Sequence, residues 1–231
     1  MWTKEKYNNL IQELYNQKDD AYATFSSSLL NNNIKLIGVR IPILRDIAKK
    51  ISKTNIEEYL KYYKGNTEEE ILLLGLSIAY TNNKEIYDKY LELYSKEITD
   101  WQLCDVVANT LKLIKKENDY FYPFVLNMLN KDNEFQVRFG LVILLNYYLN
   151  DNYIDKVINN ILNINTDKYY INMALSWLIC EIYIKYPIKI DKYLNNKYFN
   201  KFVINKSISK INDSYRITQE VKQMLKERRI K

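Results

Sequence analysis

The sequence predicts an all-α chain wound as an α–α superhelix, and three observations carry that expectation. Apolar residues recur at steps of three and four, the spacing of one helix face. With 4 Gly and 3 Pro in 231 residues, the chain has almost no material for hairpins or long loops. From Thr67 onward, first helices of successive pairs begin near 67, 100, 133, 167 and 199, a period of about 33 residues of the kind that marks an α-solenoid. The units share little sequence with one another, so the period is structural. No linker interrupts it, and a single domain over 1–231 is expected.

In order, the helical period places elements as follows. Helix 4–17 follows Met1-Trp2-Thr3, opens an amphipathic stretch and precedes helix 19–31. Pro42 fits a first-turn position of helix 42–53, and helix 55–64 comes next. Helix 67–82 opens with the capping box Thr67-Glu68-Glu69-Glu70, where hydroxyl and carboxylate satisfy free N–H groups reciprocally. Helix 84–97 leads to helix 100–116, whose start reads as a second capping box, Thr99-Asp100-Trp101-Gln102. Helices 118–131, 133–150, 152–163 and 167–186 continue the period; 133–150 carries the apolar run from Phe135 to Leu145. Pro187 fits a first-turn position for helix 188–195, and helices 199–212 and 216–229 close the chain.

Against this apolar background a few residues stand out. Trp101 and Asp105 lie four apart and share a helix face. Arg138 is the one charge between Phe135 and Leu145, and Trp177 sits in Met173-Ala174-Leu175-Ser176-Trp177-Leu178-Ile179-Cys180. An ionised group in an apolar helix face costs several kcal/mol unless it is paired or opens onto a cleft. All four belong to first helices of three successive pairs, and equivalent helices of a solenoid line one surface.

Composition narrows the chemistry. The chain has no histidine, which excludes a His-based triad, a His general base and any His-containing zinc site. Cys104 and Cys180 lie in apolar helical stretches and read as buried free thiols; two cysteines cannot complete a structural zinc site. Acid–base work therefore falls to carboxylates, Lys, Tyr or water. The net charge of +6 permits a polyanionic partner without demanding one. No apolar run approaches the ~18 residues of a membrane span, and the start of the chain lacks the apolar stretch of a signal peptide, so a cytoplasmic location is expected.

On these residues the chain resembles, over nearly its whole length, the AlkD-like DNA alkylation-repair glycosylases, which are built from HEAT-like, ARM-type repeats. Gly38-Val39-Arg40-Ile41-Pro42-Ile43-Leu44-Arg45 is similar to the family's Gly-Val-basic-x-Pro-x-Leu-Arg stretch. Trp101 and Asp105 match its Trp-x-x-x-Asp pair, Arg138 its helix-borne arginine and Trp177 its second tryptophan. The resemblance implies excision of cationic N3- and N7-alkylated purines from duplex DNA by hydrolysis of the N-glycosidic bond, without a metal or cofactor. A monomer with a basic concave groove is implied, and no membrane partner. It gives Asp105 as the catalytic carboxylate, Trp101 and Trp177 as flanks of the deoxyribose, and Arg138 as a phosphate contact. Lys112, Lys115, Lys116, Lys206, Lys210 and Arg216 are then expected along the rest of the groove. The chain departs from the family around Trp177, whose neighbours Ile171, Asn172, Ile179 and Cys180 are uncharged where basic residues are frequent.

Taken without the resemblance, the same residues leave other readings open. Trp101 and Trp177 also suit core filling, and Asp105 with Arg138 a buried salt bridge between equivalent positions of neighbouring repeats. A non-catalytic DNA- or RNA-binding array and a protein-interaction scaffold are the corresponding functions. Gly38 and Pro42 are explained by a turn and a helix start, and the basic end Lys226 to Lys231 reads as a frayed helix terminus.

Overall fold

The computed structural model describes residues 1–30 and 33–231, and the chain divides into two compact units, Met1–Glu117 and Asn118–Lys231. Every named element among the described residues is helical; extended pairing among them is limited to an isolated parallel bridge between Lys35 and Thr67. None of the described helices is long and apolar enough to cross a membrane.

The first unit contains α1 (Lys4–Asn16), α2 (Asp20–Leu29), α3 (Ile41–Ile51), α4 (Ile56–Leu60), α5 (Glu68–Tyr80), α6 (Lys84–Glu97), α7 (Trp101–Ala108) and α8 (Lys112–Lys116). The expected helix 19–31 ends at Leu29, and its last residue, Asn31, lies outside the described residues. Side chains of Thr3, Asp19, Asn55, Thr67, Asn83 and Asp100 cap their helices by accepting backbone N–H groups. The box at Thr67 forms with a twist: Thr67 accepts from the Glu70 N–H, while the Glu70 carboxylate reaches back to the Asn66 N–H and also receives the Tyr7 hydroxyl. The expected box at Thr99 is corrected. Asp100 is the cap there, its Oδ1 accepting from Gln102 and Leu103 at 2.7 and 2.9 Å.

The expected continuous helix 100–116 is broken between α7 and α8. Thr110 Oγ1 turns back to the Val106 carbonyl at 2.8 Å, the acceptor that the Thr110 N–H would take in a continuing helix, while Asn109 bonds the Asp105 carbonyl from both its N–H and its side chain at 3.0 and 2.8 Å. Arg45 of α3 reinforces the break by donating to Thr110 Oγ1 at 2.7 Å and to the Tyr80 hydroxyl at 3.1 Å.

Beyond the three glutamates of its first turn, helix α5 is almost entirely apolar and almost wholly buried, the pattern of a helix surrounded by others. Gly75 sits where it meets α6 and α7: a Cβ there would lie 2.4 Å from Tyr94 Cζ and 2.7 Å from Val107 Cγ2. Gly75→Ala, which in an open helix gains about 1 kcal/mol, is therefore expected to cost about 1–3 kcal/mol through overpacking. Urea unfolding of the two proteins measures this, and a gain in stability would show that Tyr94 moves aside freely.

The turn before α3 is built around a buried carboxylate. Glu69, 1 % exposed, accepts the N–H groups of Ile37, Gly38 and Val39 at 2.9, 2.7 and 3.1 Å. Gly38 has φ +102°, and a Cβ on it would lie 2.7 Å from Ala23 Cβ and from the Asp19 carbonyl. Arg40 pairs with Asp19 at 2.7 Å. The Gly38 turn and the Pro42 helix start are thus structural, as their residue types imply.

The second unit contains α9 (Asn118–Leu129), α10 (Glu134–Tyr147), α11 (Ile154–Ile161), α12 (Tyr169–Lys185), α13 (Pro187–Ile190) with a 3-10 turn over Asp191–Tyr193, α14 (Lys201–Asp213) and α15 (Gln219–Glu227). Helices α10, α12 and α14 run side by side in one direction. The Tyr170 N–H at the start of α12 donates to Glu134 at the start of α10, and Ser176 Oγ, midway along α12, to the Val203 carbonyl in the first turn of α14; Tyr186, past α12, donates to Asp151, past α10, and Arg216, past α14, to Glu181 in the last turns of α12. Bonds between elements span about one predicted period in each unit: 32 residues for Lys89–Glu57 and 33 for Lys84–Glu117 in the first, 36 for Tyr170–Glu134 and 35 for Arg216–Glu181 in the second. This is the packing of a helical repeat array.

The chain end is docked, correcting the expectation of a frayed terminus. Arg228 donates to the Asp191 carboxylate and carbonyl at 2.5 and 2.9 Å, and Asn205 exchanges two bonds with the Ile230 backbone at 2.8 and 2.9 Å.

Candidate nucleic-acid interface

In the first unit the candidate residues follow from the short α7. Trp101 and Asp105, one turn apart, are partly exposed, while Leu103, Cys104, Val107 and Ala108 on the opposite side are buried against the core. The Trp101 indole is fixed by donating from Nε1 to the Leu29 carbonyl at 3.2 Å. The far end of the helix is held through Thr110 and Arg45. Lys112, Lys115 and Lys116 of α8 are exposed.

In the second unit three of the expected residues meet in one open recess. Trp177 of α12, Lys210 of α14 and Arg216 line a cavity of about 410 Å³ together with Glu181 and Tyr215. Arg216 pairs with Glu181 at 2.8 Å, so part of its charge is answered within the protein. Lys206, one turn before Lys210 on α14, is partly exposed. Cys180 also borders the recess, but burial pushes its thiol up to about 11, so it is protonated at neutral pH and makes a poor nucleophile. Both cysteines are free and buried, as expected.

Arg138 is 7 % exposed and donates from Nη1 to the Tyr170 carbonyl at 3.2 Å, linking α10 to α12. A guanidinium in that position needs acceptors around it, and a backbone carbonyl is one.

Two participants escape sequence reasoning. The Leu29 carbonyl that fixes Trp101 is a backbone group 72 residues away, and nothing in the spacing announces it. Arg45 lies in the Gly38–Arg45 stretch, but its partner Thr110 is 65 residues on. Glu181, the counter-ion of Arg216, carries a usable signal: it follows Trp177 by four residues on the same partly exposed stripe of α12.

A sequence model of a family described as DNA alkylation repair enzyme matches residues 10–211. That span takes in every candidate residue above except Arg216 and Tyr215. No curated protein and no solved structure matches the chain.

Proposed function

The chain belongs to the DNA alkylation repair enzyme family, and on that premise we propose that it hydrolyses the bond between deoxyribose and cationic N3- or N7-alkylated purines in duplex DNA. The observation that carries this reading is the indole and carboxylate of Trp101 and Asp105, one turn apart on the open side of α7, with the indole fixed through Leu29.

Alkylation at N3 or N7 leaves a purine positively charged. It departs with the bonding electron pair and becomes neutral without receiving a proton. That chemistry suits a chain with no histidine. As the bond breaks, positive charge builds on the sugar, as in other glycoside hydrolyses. In this reading Asp105 faces that charge and accepts the proton of the water that adds to C1′. Trp101 turns its electron-rich face to that cation, and Trp177, in the second unit, offers an indole face of the same kind to positive charge. Lys112 in one unit, and Lys206, Lys210 and Arg216 in the other, take backbone phosphates, contacts that hold a duplex without reading its sequence. Arg138, mostly covered, adds fixed positive charge to the second unit. The reaction so written needs neither a metal nor an organic cofactor.

Incubation of the protein with methylated duplex DNA tests the reading, and free 7-methylguanine or 3-methyladenine is the expected product. Salt-sensitive DNA binding with no base released would replace it with a non-catalytic DNA-binding function. Trp177→Ala is expected to slow release about 2- to 30-fold, the worth of one cation–π contact of ~0.5–2 kcal/mol. Single-turnover kinetics measure that factor, and an unchanged rate removes Trp177 from the site.

A further inference from the structure

At the starts of α12 and α14 a second recess, of about 610 Å³, opens to solvent beside Tyr169 and Phe202. The two rings meet edge to face with centroids 5.9 Å apart, and the residues are 55 % and 40 % exposed. Tyr169 also lies 5.2 Å from Tyr170, which lies 4.9 Å from Phe135 at the start of α10. Four rings therefore cross the starts of three neighbouring helices. Aromatic side chains ordinarily bury their large area; a row left half open offers that area to a flat partner.

The floor of the recess is firm. Asn172, 4 % exposed, and Asn200 both donate to the Thr166 carbonyl at 3.0 Å, and Asn200 also reaches Asn172 Oδ1 at 3.4 Å. Asn200 at the same time caps α14 by accepting the Val203 N–H at 2.9 Å. On the rim, Asp167 and Lys201 offset one another in charge. The recess thus suits a neutral planar group better than a phosphate.

We propose that this recess holds one unstacked nucleobase, other than the damaged one, from DNA lying along the Trp177 face. The inference rests on the reading of the protein as DNA-binding and adds a contact that the glycosidic chemistry does not use. Tyr169, Met173 and Trp177 follow one another at four-residue steps along a partly exposed stripe of α12, and Phe202, Lys206 and Lys210 do the same on α14. Rings and basic groups therefore share one track, the combination by which proteins hold unpaired strands. Tyr169 lies ~12 Å along the helix from Trp177 at 1.5 Å per residue, about three to four nucleotide steps of duplex. Because the amides of the floor are engaged with one another, recognition is by stacking and tolerates any base.

The test compares the full-length protein with the doubly substituted Tyr169→Ala, Phe202→Ala protein on two duplexes of equal length. One is fully paired; the other carries a single unpaired 2-aminopurine. The unsubstituted protein is expected to bind the bulged duplex about 10-fold more tightly, within the range that stacking on an aromatic ring supplies, and to quench the 2-aminopurine fluorescence. The doubly substituted protein is expected to bind both duplexes alike. Equal affinity of the unsubstituted protein for the two duplexes, or an undiminished preference after substitution, would overturn the inference. A preference shown by a protein that releases no alkylated base upholds it and overturns the glycosylase reading. Base release without any preference does the reverse.

Discussion

Asp105→Asn is expected to slow base release about 100- to 1,000-fold, the usual cost of removing one preorganised group that stabilises transition-state charge, while affinity for the DNA changes little. Asn keeps the shape of the side chain and removes its negative charge and its capacity to take a proton from water. The variant keeps the Asp105 carbonyl, which accepts from Asn109 at the helix end, at 3.0 Å from the backbone N–H and 2.8 Å from the side chain. Single-turnover release from methylated duplex, alongside an equilibrium binding curve, separates the two effects. Undiminished release would end the catalytic assignment of Asp105, and a parallel collapse of binding and rate would make it a binding residue.

Glu69→Ala is expected to cost about 3–5 kcal/mol of stability, since it strips a buried, charge-assisted acceptor from three N–H groups at once. Those groups belong to Ile37, Gly38 and Val39, and Ile37 and Val39 are themselves 1 % exposed, so water has no easy route to replace the lost oxygens. Glu69→Gln keeps one acceptor oxygen and places an NH₂ group where the other stood, so a smaller loss is expected. Guanidinium unfolding monitored by circular dichroism provides both values. A loss below about 1 kcal/mol for the alanine variant would mean that the turn before α3 finds other acceptors.

Much of this architecture is legible in the sequence because the helical period survives a composition rich in Lys, Asn, Ile and Tyr. Thr67 announces the start of α5, and the four-residue step from Trp101 to Asp105 is enough to set both on one side of α7. What sequence reasoning misses is decided by partners far along the chain. The end of α7 depends on Arg45, which donates to Thr110, and the order of the terminus depends on Asp191 and Asn205. The choice of Asp100 over Thr99 as a cap is a one-residue matter of local geometry that both side chains satisfy on paper. Arg138 shows the same limit from the other side. Its isolation in an apolar run correctly marks it as unusual, but the acceptor at Tyr170 is a backbone atom, which no residue pattern encodes. For the candidate site, Trp177, Lys210 and Arg216 are each visible in the sequence, and it takes coordinates to show that they border one recess.

The eight residues of α7 are clamped at both extremities, by the indole bond to Leu29 and by the guanidinium of Arg45 on Thr110. A segment so short would fray in isolation. Here its stiffness is settled when the polypeptide folds rather than when a ligand arrives. Little rotamer searching then remains for the tryptophan, and in the proposed reaction the entropy of ordering it is already met by folding. On the proposed reading, loosening the Arg45 clamp would act on turnover without removing a group that meets the substrate.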